Sequence, residues 1–533
     1  MFARLLFLLF LLVIFQLSSQ EAAQNNLDQD LPYDLVIING RIVDGTGNPW
    51  FRASVGIKDG KIVKIGKIDP SSAFRVIDAK DNIVAPGFID VHTHVENIFN
   101  LPSAENFIRM GVTSLITGNC GSSAIDVAEF LGRYEKIPLT VNLGTLIGHG
   151  SVRAKVMGFE NREPTPEEQA KMEDLVEKAM KDGALGLSTG LIYSPGSFAK
   201  TDEIVALAKV TARYGGIYAS HIRDEGAEVM KSVNEAIEIG EKANIPVEIS
   251  HFKISSKKLW GQSPLTIGLV KSARERGLQV TVDQYVYTAS STSLEARLPN
   301  WAVAGGREET LKRLADKKIR QKISQDMKEE LKKRGFKDYS FAYVANYPPK
   351  PEYNGKNIAE ITKLERGKSG LDEQIEQIFE MYEKGGASMV YRVMSEEDIR
   401  NILRESFTMF ASDSGVRRLG RDIPHPRGYG NNAKVLGEYV RNLKLLTLEE
   451  AIRKMTSLPA QTFGIRNRGL LREGFFADIV IFDDKRVADR ATFENPHQYP
   501  EGFIYVLVNG EVVLDENGFT GKYPGKPILR ENR

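Results

Sequence analysis

The 533-residue chain has a single cysteine, Cys120, so no intramolecular disulfide can staple it. It also has almost no net charge: 71 Lys and Arg stand against 70 Asp and Glu. That balance gives no footing to a nucleic-acid or anionic-membrane partner and points instead to a small molecule. No internal repeat and no low-complexity tract is present, which sets aside solenoids and fibrous chains. Histidine is scarce, seven in all, so where those seven fall carries information. A membrane-spanning run is missing too. The longest N-terminal apolar stretch, Leu5 to Phe15 behind Arg4, is shorter than the roughly 20 residues a spanning helix needs.

That stretch has the pattern of a cleaved signal peptide over residues 1–20, with a polar, disordered mature N-terminus over 21–32. The protein is therefore expected to be secreted or periplasmic, with no stable membrane span after cleavage. In an oxidising compartment a free thiol is a liability unless burial or a metal protects it. The plain alternative for Cys120 is a small buried hydrophobe.

What is present reads as a soluble globular protein, 42% hydrophobic and 26% charged, and too long for one ordinary core. Residues 33–84 hold short β signals separated by turns: Asn39-Gly40 between Asp34–Ile38 and Arg41–Val43, then Asp59-Gly60 between Ala53–Ile57 and Lys61–Ile65. Residues 466–533 are similar, with Ala477–Phe482, Tyr505–Val508, Asn509-Gly510 and Glu511–Leu514. Neither end is large enough to stand alone, so the two are expected to join in one small β-sandwich. Between them, residues 85–465 alternate apolar strands with helical patterns. That is the mark of repeated βα units, and the length fits an α/β fold, a TIM-like (β/α)8 barrel with an insertion. The insertion is placed at about 298–395, where Lys and Glu are frequent and Glu308–Arg334 and Asp372–Lys384 read as helical.

Catalytic residues of such barrels sit at the C-terminal ends of the strands. His92 and His94 follow Phe88–Val91, Cys120 follows Ser114–Thr117, His221 follows Gly216–Ala219, His251 follows Val247–Ile249, and Asp413 follows Thr408–Ala411. His92 and His94, at i and i+2 of an extended segment, project from one face and can reach one ion. Imidazole, thiolate and carboxylate together suit a borderline-soft ion, with Zn2+ the default. Zinc would also hold Cys120 as thiolate. A hydrolytic zinc needs a carboxylate to move protons beside it, and Asp413 is the candidate. Its bland alternative is a cap on the helix after the last strand.

These segments resemble the amidohydrolase superfamily across the mature chain, through Ala85-Pro86-Gly87-Phe88-Ile89-Asp90-Val91-His92-Thr93-His94, Thr456–Ala460 and Ala477–Val480. Within it, the chain is similar to the N-acyl-D-amino-acid deacylases (D-aminoacylases). The matching stretches are Gly118–Gly121, Gly148–Arg153, Gly186–Tyr193, Ser220–Glu225, Ser250–Lys253, Ala411–Ser414 and His425–Arg427. The cysteine is the most diagnostic item, because hydantoinase-like relatives use a carboxylated lysine instead. The resemblance implies that Cys120, His221 and His251 hold one tightly bound zinc. It implies a second, weaker position at His92, His94 and Asp413, with Asp413 the general acid/base. Lys253, Arg427, Tyr193 and Tyr285 would bind the substrate carboxylate, and His149, Arg153 and Asp90 would support from behind. His425 and His497 receive no role. The sequence departs from the family pattern at Val95, where relatives carry an acid directly after the H-x-H; Glu96 comes one residue later. The implied reaction is hydrolysis of an N-acyl-D-amino acid to a carboxylate and a free D-amino acid. A dipeptidase or another linear or cyclic amide hydrolase on the same scaffold remains the alternative, and the oligomeric state is open.

Overall fold

Strands buried on both faces must be covered on both sides, and the central segments of this chain are buried at every position. These include Val112–Thr117, Gly186–Gly190, Ile217–His221 and Val280–Gln284. The computed structural model describes residues 31–530. The expected signal segment, and the expected disordered stretch as far as residue 30, lie outside the described residues. Leu31, inside that stretch, is already tethered: its carbonyl accepts a hydrogen bond from Lys58 Nζ at 3.3 Å.

Eight parallel strands form the barrel: β1 (Phe88–Asp90), β2 (Val112–Thr117), β3 (Asn142–Thr145 and Ile147–Gly148), β4 (Gly186–Gly190), β5 (Ile217–His221), β6 (Val247–Ile249), β7 (Val280–Gln284) and β8 (Thr408–Phe410). The first part of β3 pairs with β2 and the second with β4, so the strand carries the ring from one side to the other across Leu146. Closure between β8 and β1 falls at the C-terminal ends. Asp413 N–H donates to the His92 carbonyl and His94 N–H to the Ser414 carbonyl, both at 2.9 Å. Beneath this seam the buried Asp90 carboxylate accepts from Ser412 N–H at 3.1 Å and from His92 N–H at 3.2 Å. Burial pushes the Asp90 carboxyl up to about 7 despite those hydrogen bonds.

Amphipathic helices cover the outside. Pro166–Lys181 begins in a Thr165/Glu168 capping box and buries Met172, Val176, Ala179 and Met180. Between β7 and β8 lies the insertion, a three-stranded antiparallel sheet of Ser290–Ser293, Ser388–Tyr391 and Ala342–Asn346 with helices around it. It begins at Ser290 rather than near 298. Its first strand, Ser-Ser-Thr-Ser, has no apolar alternation to mark it as a strand.

Both chain ends contribute to one nine-stranded sheet, which curls around its own core as a small β-sandwich. The Asp59-Gly60 and Asn509-Gly510 turns meet across it. A Cβ on Gly60 would lie 2.7 Å from the Asn509 carbonyl oxygen, so only glycine fits there. Asn39-Gly40 is not a hairpin. Tyr33–Ile42 runs straight through as one strand, with a bulge where Asn39 adopts φ 56°. Residues before the bulge pair with Ala73–Asp78 and those after it with Ile83–Pro86. Asn142 Nδ2 donates to Asp478 Oδ2 at 3.1 Å, and Asn509 Nδ2 donates to Asn142 Oδ1 at 2.8 Å, which ties barrel to sandwich. Among the described residues no helix is long and apolar enough to cross a membrane.

Asp90→Ala should strand two buried N–H groups at the closing seam and lower stability by about 2–4 kcal/mol. Asp90→Asn, which keeps an acceptor, should lose clearly less. Urea denaturation followed by circular dichroism distinguishes the two; equal losses would show that Asp90 matters by volume and not by its hydrogen bonds.

Candidate metal centre

Five of the eight strand ends deliver one or two donors each to the barrel mouth, and at three of them the backbone turns sharply to do it. Cys120, His251 and Asp413, which follow β2, β6 and β8, all have left-handed backbones, with φ of 53°, 37° and 48°. Non-glycine residues rarely sit there, and such strain gathers at functional sites. The end of β4, two strands along, accommodates the turn at Cys120: a Cβ on Gly190 would lie 2.1 Å from the Cys120 carbonyl oxygen.

Every sequence-predicted metal ligand arrives in one cluster. Cys120 Sγ is 3.3 Å from His92 Nε2, 3.5 Å from His221 Nδ1 and 3.6 Å from His251 Nε2. The last two nitrogens are 2.8 Å apart. Asp413 Oδ1 is 3.2 Å from His94 Nε2 and 3.7 Å from His92 Nε2. Three overlapping groups could each hold an ion: Cys120 with His221 and His251, Cys120 with His92 and His94, and Asp413 with His92 and His251. The donor set fits a metal. Sulfur and nitrogen ligands of a tetrahedral zinc stand about 3.5 Å apart, which matches the Cys120–His221 and Cys120–His251 spacings. The His221–His251 spacing is shorter than that geometry and would open slightly around an ion.

The charges are set for the same purpose. Burial alone would push the Cys120 thiol up, but the charge of His92 and hydrogen bonds with His221 and His251 hold it well below the usual thiol range. Burial also works against the Asp413 carboxylate, yet the Arg427 guanidinium and His92 hold it well below the usual carboxylate range. Both donors are therefore anionic at neutral pH.

Two carboxylates behind the cluster were not anticipated. His92 Nδ1 is 2.9 Å from Asp283 Oδ2, and His251 Nδ1 is 2.9 Å from Glu225 Oε1. Each fixes the far nitrogen of an imidazole whose Nε2 faces the cluster, the usual way a ligating histidine is oriented. Asp283 was findable, since it follows the apolar run Val280-Thr281-Val282 as the other strand-end residues follow theirs. Glu225 was not, because it sits beyond the strand in a loop. Glu96, the acid one step from the expected place, turns away and accepts from Thr117 Oγ1 at 2.7 Å and Gly118 N–H at 3.0 Å.

The cluster lies at the bottom of a cavity of about 660 Å3, whose wall includes Lys253, Arg427, Tyr193 and Tyr285. Their charges are already engaged. Lys253 Nζ donates to Glu225 Oε1 at 2.5 Å and to the His251 carbonyl at 2.8 Å. Arg427 pairs with Asp413 Oδ2 at 2.8 Å and lies 4.3 Å over the Tyr285 ring. Tyr193 O–H is hydrogen-bonded with Thr292 Oγ1 at 3.0 Å, and its ring centre is 4.9 Å from that of His221. His149 and Arg153 share Glu203, at 2.8 and 3.1 Å, rather than any clustered histidine. His425, without a role in the sequence reading, accepts from Arg427 N–H at 3.1 Å and so fixes where that side chain starts. His497 contacts Tyr429 at 2.9 Å, away from the cluster.

Comparison with known proteins gives an amidohydrolase family model that matches residues 75–319 and 381–514. A model of the urease alpha-subunit N-terminal domain matches residues 17–87. The D-aminoacylase of Alcaligenes xylosoxydans xylosoxydans is 35% identical over 94% of this chain and 98% of its own length. The N-acyl-D-glutamate deacylase of the same organism is 34% identical over 93% and 97%. Among solved structures, the N-acyl-D-glutamate deacylase of Bordetella bronchiseptica, complexed with zinc and a phosphonate inhibitor, superimposes with a TM-score of 0.81 at 32% identity, covering 94% of this chain and 100% of that one. A D-aminoacylase variant in complex with copper chloride gives 0.79 at 33%, with the same coverage.

Glu225→Gln and Asp283→Asn keep the shape but weaken the grip on His251 and His92. Each should lower metal affinity about 10–100-fold, read by competition with a chelator. Unchanged affinity in both would show that neither carboxylate orients a ligand.

Proposed function

From the premise that this chain belongs to the amidohydrolase family, and is a hydrolase of carbon–nitrogen bonds other than peptide bonds, we propose that it cleaves N-acyl-D-amino acids to a carboxylate and a free D-amino acid, with zinc at the cluster. The observation that carries this reading is the meeting of a thiolate-ready Cys120, four histidines and an ionised Asp413 at the foot of a cavity lined with cations. The D configuration is supported by the relatives whose names specify it.

Cys120, His221 and His251 would hold the tight zinc. His92, His94 and Asp413 would offer a second, weaker position, with Cys120 Sγ in reach of His92 as well. When bound, zinc supplies a Lewis acid that polarises the amide carbonyl and lowers the pKa of water to about 7. Asp413 starts ionised, takes the proton of the attacking water, and returns it to the leaving nitrogen. Arg427 stands beside Asp413 with one face on Tyr285, which leaves its edge free to grip the α-carboxylate next to the scissile nitrogen. Lys253, locked by Glu225, adds a fixed positive charge without moving. Tyr193 and Tyr285 complete the wall on which the amino acid rests. The N-terminal apolar run supports export, which would put the reaction outside the cytoplasm.

The test is hydrolysis of paired D- and L-N-acetyl amino acids by the zinc-loaded protein beside Asp413→Asn and Cys120→Ala. Wild type should release free D-amino acid only. Asp413→Asn should lose about 10²–10⁴ in kcat while retaining the tight metal, and Cys120→Ala should lose the metal itself by elemental analysis. No turnover of any member with zinc bound would replace this reading with hydrolysis of dipeptides or cyclic amides.

A further inference from the structure

We propose that the acyl half of the substrate is a medium-length aliphatic chain, seated in an uncharged arm of the cavity that runs along the helix His149–Met157 to Phe159. The inference rests on the reaction proposed above and names the acyl group it takes.

The direction of the arm follows from the anchors of the other half. Arg427, after β8, stands 2.8 Å from Asp413 and 4.3 Å over the ring of Tyr285, which follows β7. Lys253, after β6, is fixed to the His251 carbonyl at 2.8 Å. The amino-acid half, with its α-carboxylate, therefore lies over the ends of β6, β7 and β8. The scissile carbonyl lies over the donor cluster. The acyl chain then leaves on the opposite side, over the ends of β2, β3 and β4.

The two sides differ in charge. Over β6 to β8 and the insertion the wall carries Lys253, Asp413, Arg427, Arg297 and Arg334. Between Gly121 and Gly196, among the described residues, those facing the cavity include no charged side chain. There the helix His149–Met157 starts directly after β3 and brings Ser151 and Ala154 to the wall, which Ile192 continues after β4. Ser151 Oγ is already engaged, accepting from Ser123 N–H at 3.0 Å. Arg153, from the same helix, is fully buried and turns to Glu203 at 3.1 Å. A charged acyl group would lose its water here with nothing to replace it.

At the far end stands Phe159, 43% exposed despite its size. It is nonetheless held. Its carbonyl accepts from Gly305 N–H at 2.7 Å, and a Cβ on Gly306 would lie 3.7 Å from its ring. The ring thus sits at the rim, between the barrel helix and the insertion, with an apolar face toward any chain that comes along the arm. Size sets the chain length. At the volume of about 30 Å3 that a water takes, the cavity of about 660 Å3 holds about twenty heavy atoms, whereas N-acetyl-leucine brings about a dozen and its octanoyl counterpart about eighteen. The helix rises about 1.5 Å per residue, so Gly150 to Met157 covers about 10 Å, the reach of about eight carbons.

The experiment varies the acyl group from acetyl through butanoyl and hexanoyl to octanoyl, on D-leucine and on D-glutamate, with the zinc-loaded full chain. Adipoyl is added as the charged six-carbon counterpart of hexanoyl. From acetyl to octanoyl kcat/KM should rise by about ten-fold or more, through KM, at up to about four-fold per buried methylene. Adipoyl should fall about ten-fold or more below hexanoyl. Ala154→Leu keeps a good helix former and fills the arm, so the octanoyl-to-acetyl ratio should drop to about two-fold or less. Phe159→Ala should lower the same ratio in part. No rise with length in wild type overturns the proposal, as does a ratio that Ala154→Leu leaves unchanged, or adipoyl equal to hexanoyl. If no member is cleaved, the proposed reaction fails. Calorimetric binding of octanoate and acetate to wild type and Ala154→Leu then decides the arm by itself: a preference for octanoate that the variant loses supports it, and equal binding in wild type, or a preference that the variant keeps, overturns it.

Discussion

Six donor side chains from five strand ends must converge within a few ångströms, and the backbone is bent out of its preferred conformations to allow it. Cys120, His251 and Asp413 each occupy the left-handed region, at about 1–3 kcal/mol apiece. Such turns persist only where the surroundings over-determine them. Here the closing seam does so at β8 and β1: the Asp413 and His94 N–H groups are both bonded across it, above the Asp90 carboxylate. The barrel therefore closes at the place where its chemistry stands, and the same hydrogen bonds that complete the ring fix His92, His94 and Asp413 relative to one another.

Convergence creates a second problem, the crowding of imidazoles. The structure meets it by giving each of the four clustered histidines a carboxylate: Asp283 for His92, Glu225 for His251 and, at 3.9 Å, for His221, and Asp413 for His94. Two of these carboxylates act from behind, on the far ring nitrogen. Asp413 acts from the cavity side and is itself balanced by Arg427. The alternation of charge, from Lys253 to Glu225 to His251 to Cys120, lets a thiolate and several buried ions coexist. Glu248, buried under Asp283, takes the opposite course. Burial and the charge of Asp283 hold its carboxyl well above the usual range, which keeps it neutral where another anion would be repelled.

How much of this could be read from the residues depends on which physical signal each one carries. The strand-end donors were legible because fully buried parallel strands are short apolar runs, and the residue that breaks such a run marks the barrel mouth. By that rule His92, His94, Cys120, His221, His251 and Asp413 were found, and Asp283 could have been. Glu225 lies in a loop, where a charged residue has solvent as its default and no periodicity to contradict it. The Asn39-Gly40 pair misled for a related reason: it reports a left-handed residue, which a bulge needs as much as a hairpin does. Ser290–Ser293 failed to register as a strand because its pairing, not its composition, makes it one.

Chemistry and selection are thus built on different kinds of backbone. The cluster is held by strands whose neighbours on both sides are fixed, so its geometry follows from the fold. The cavity above it is walled by the insertion, through residues such as Phe336, Phe341 and Tyr391, and by the loop after β8. The insertion lies outside the barrel closure, and the loop after β8 joins it through Asp413 and Ser414, so beyond those residues both walls can change sequence without disturbing the donors below. A family that keeps one reaction and varies its substrates has this division available to it. The side chains that meet a substrate away from the scissile bond can then vary in these walls while the donor cluster beneath keeps its geometry.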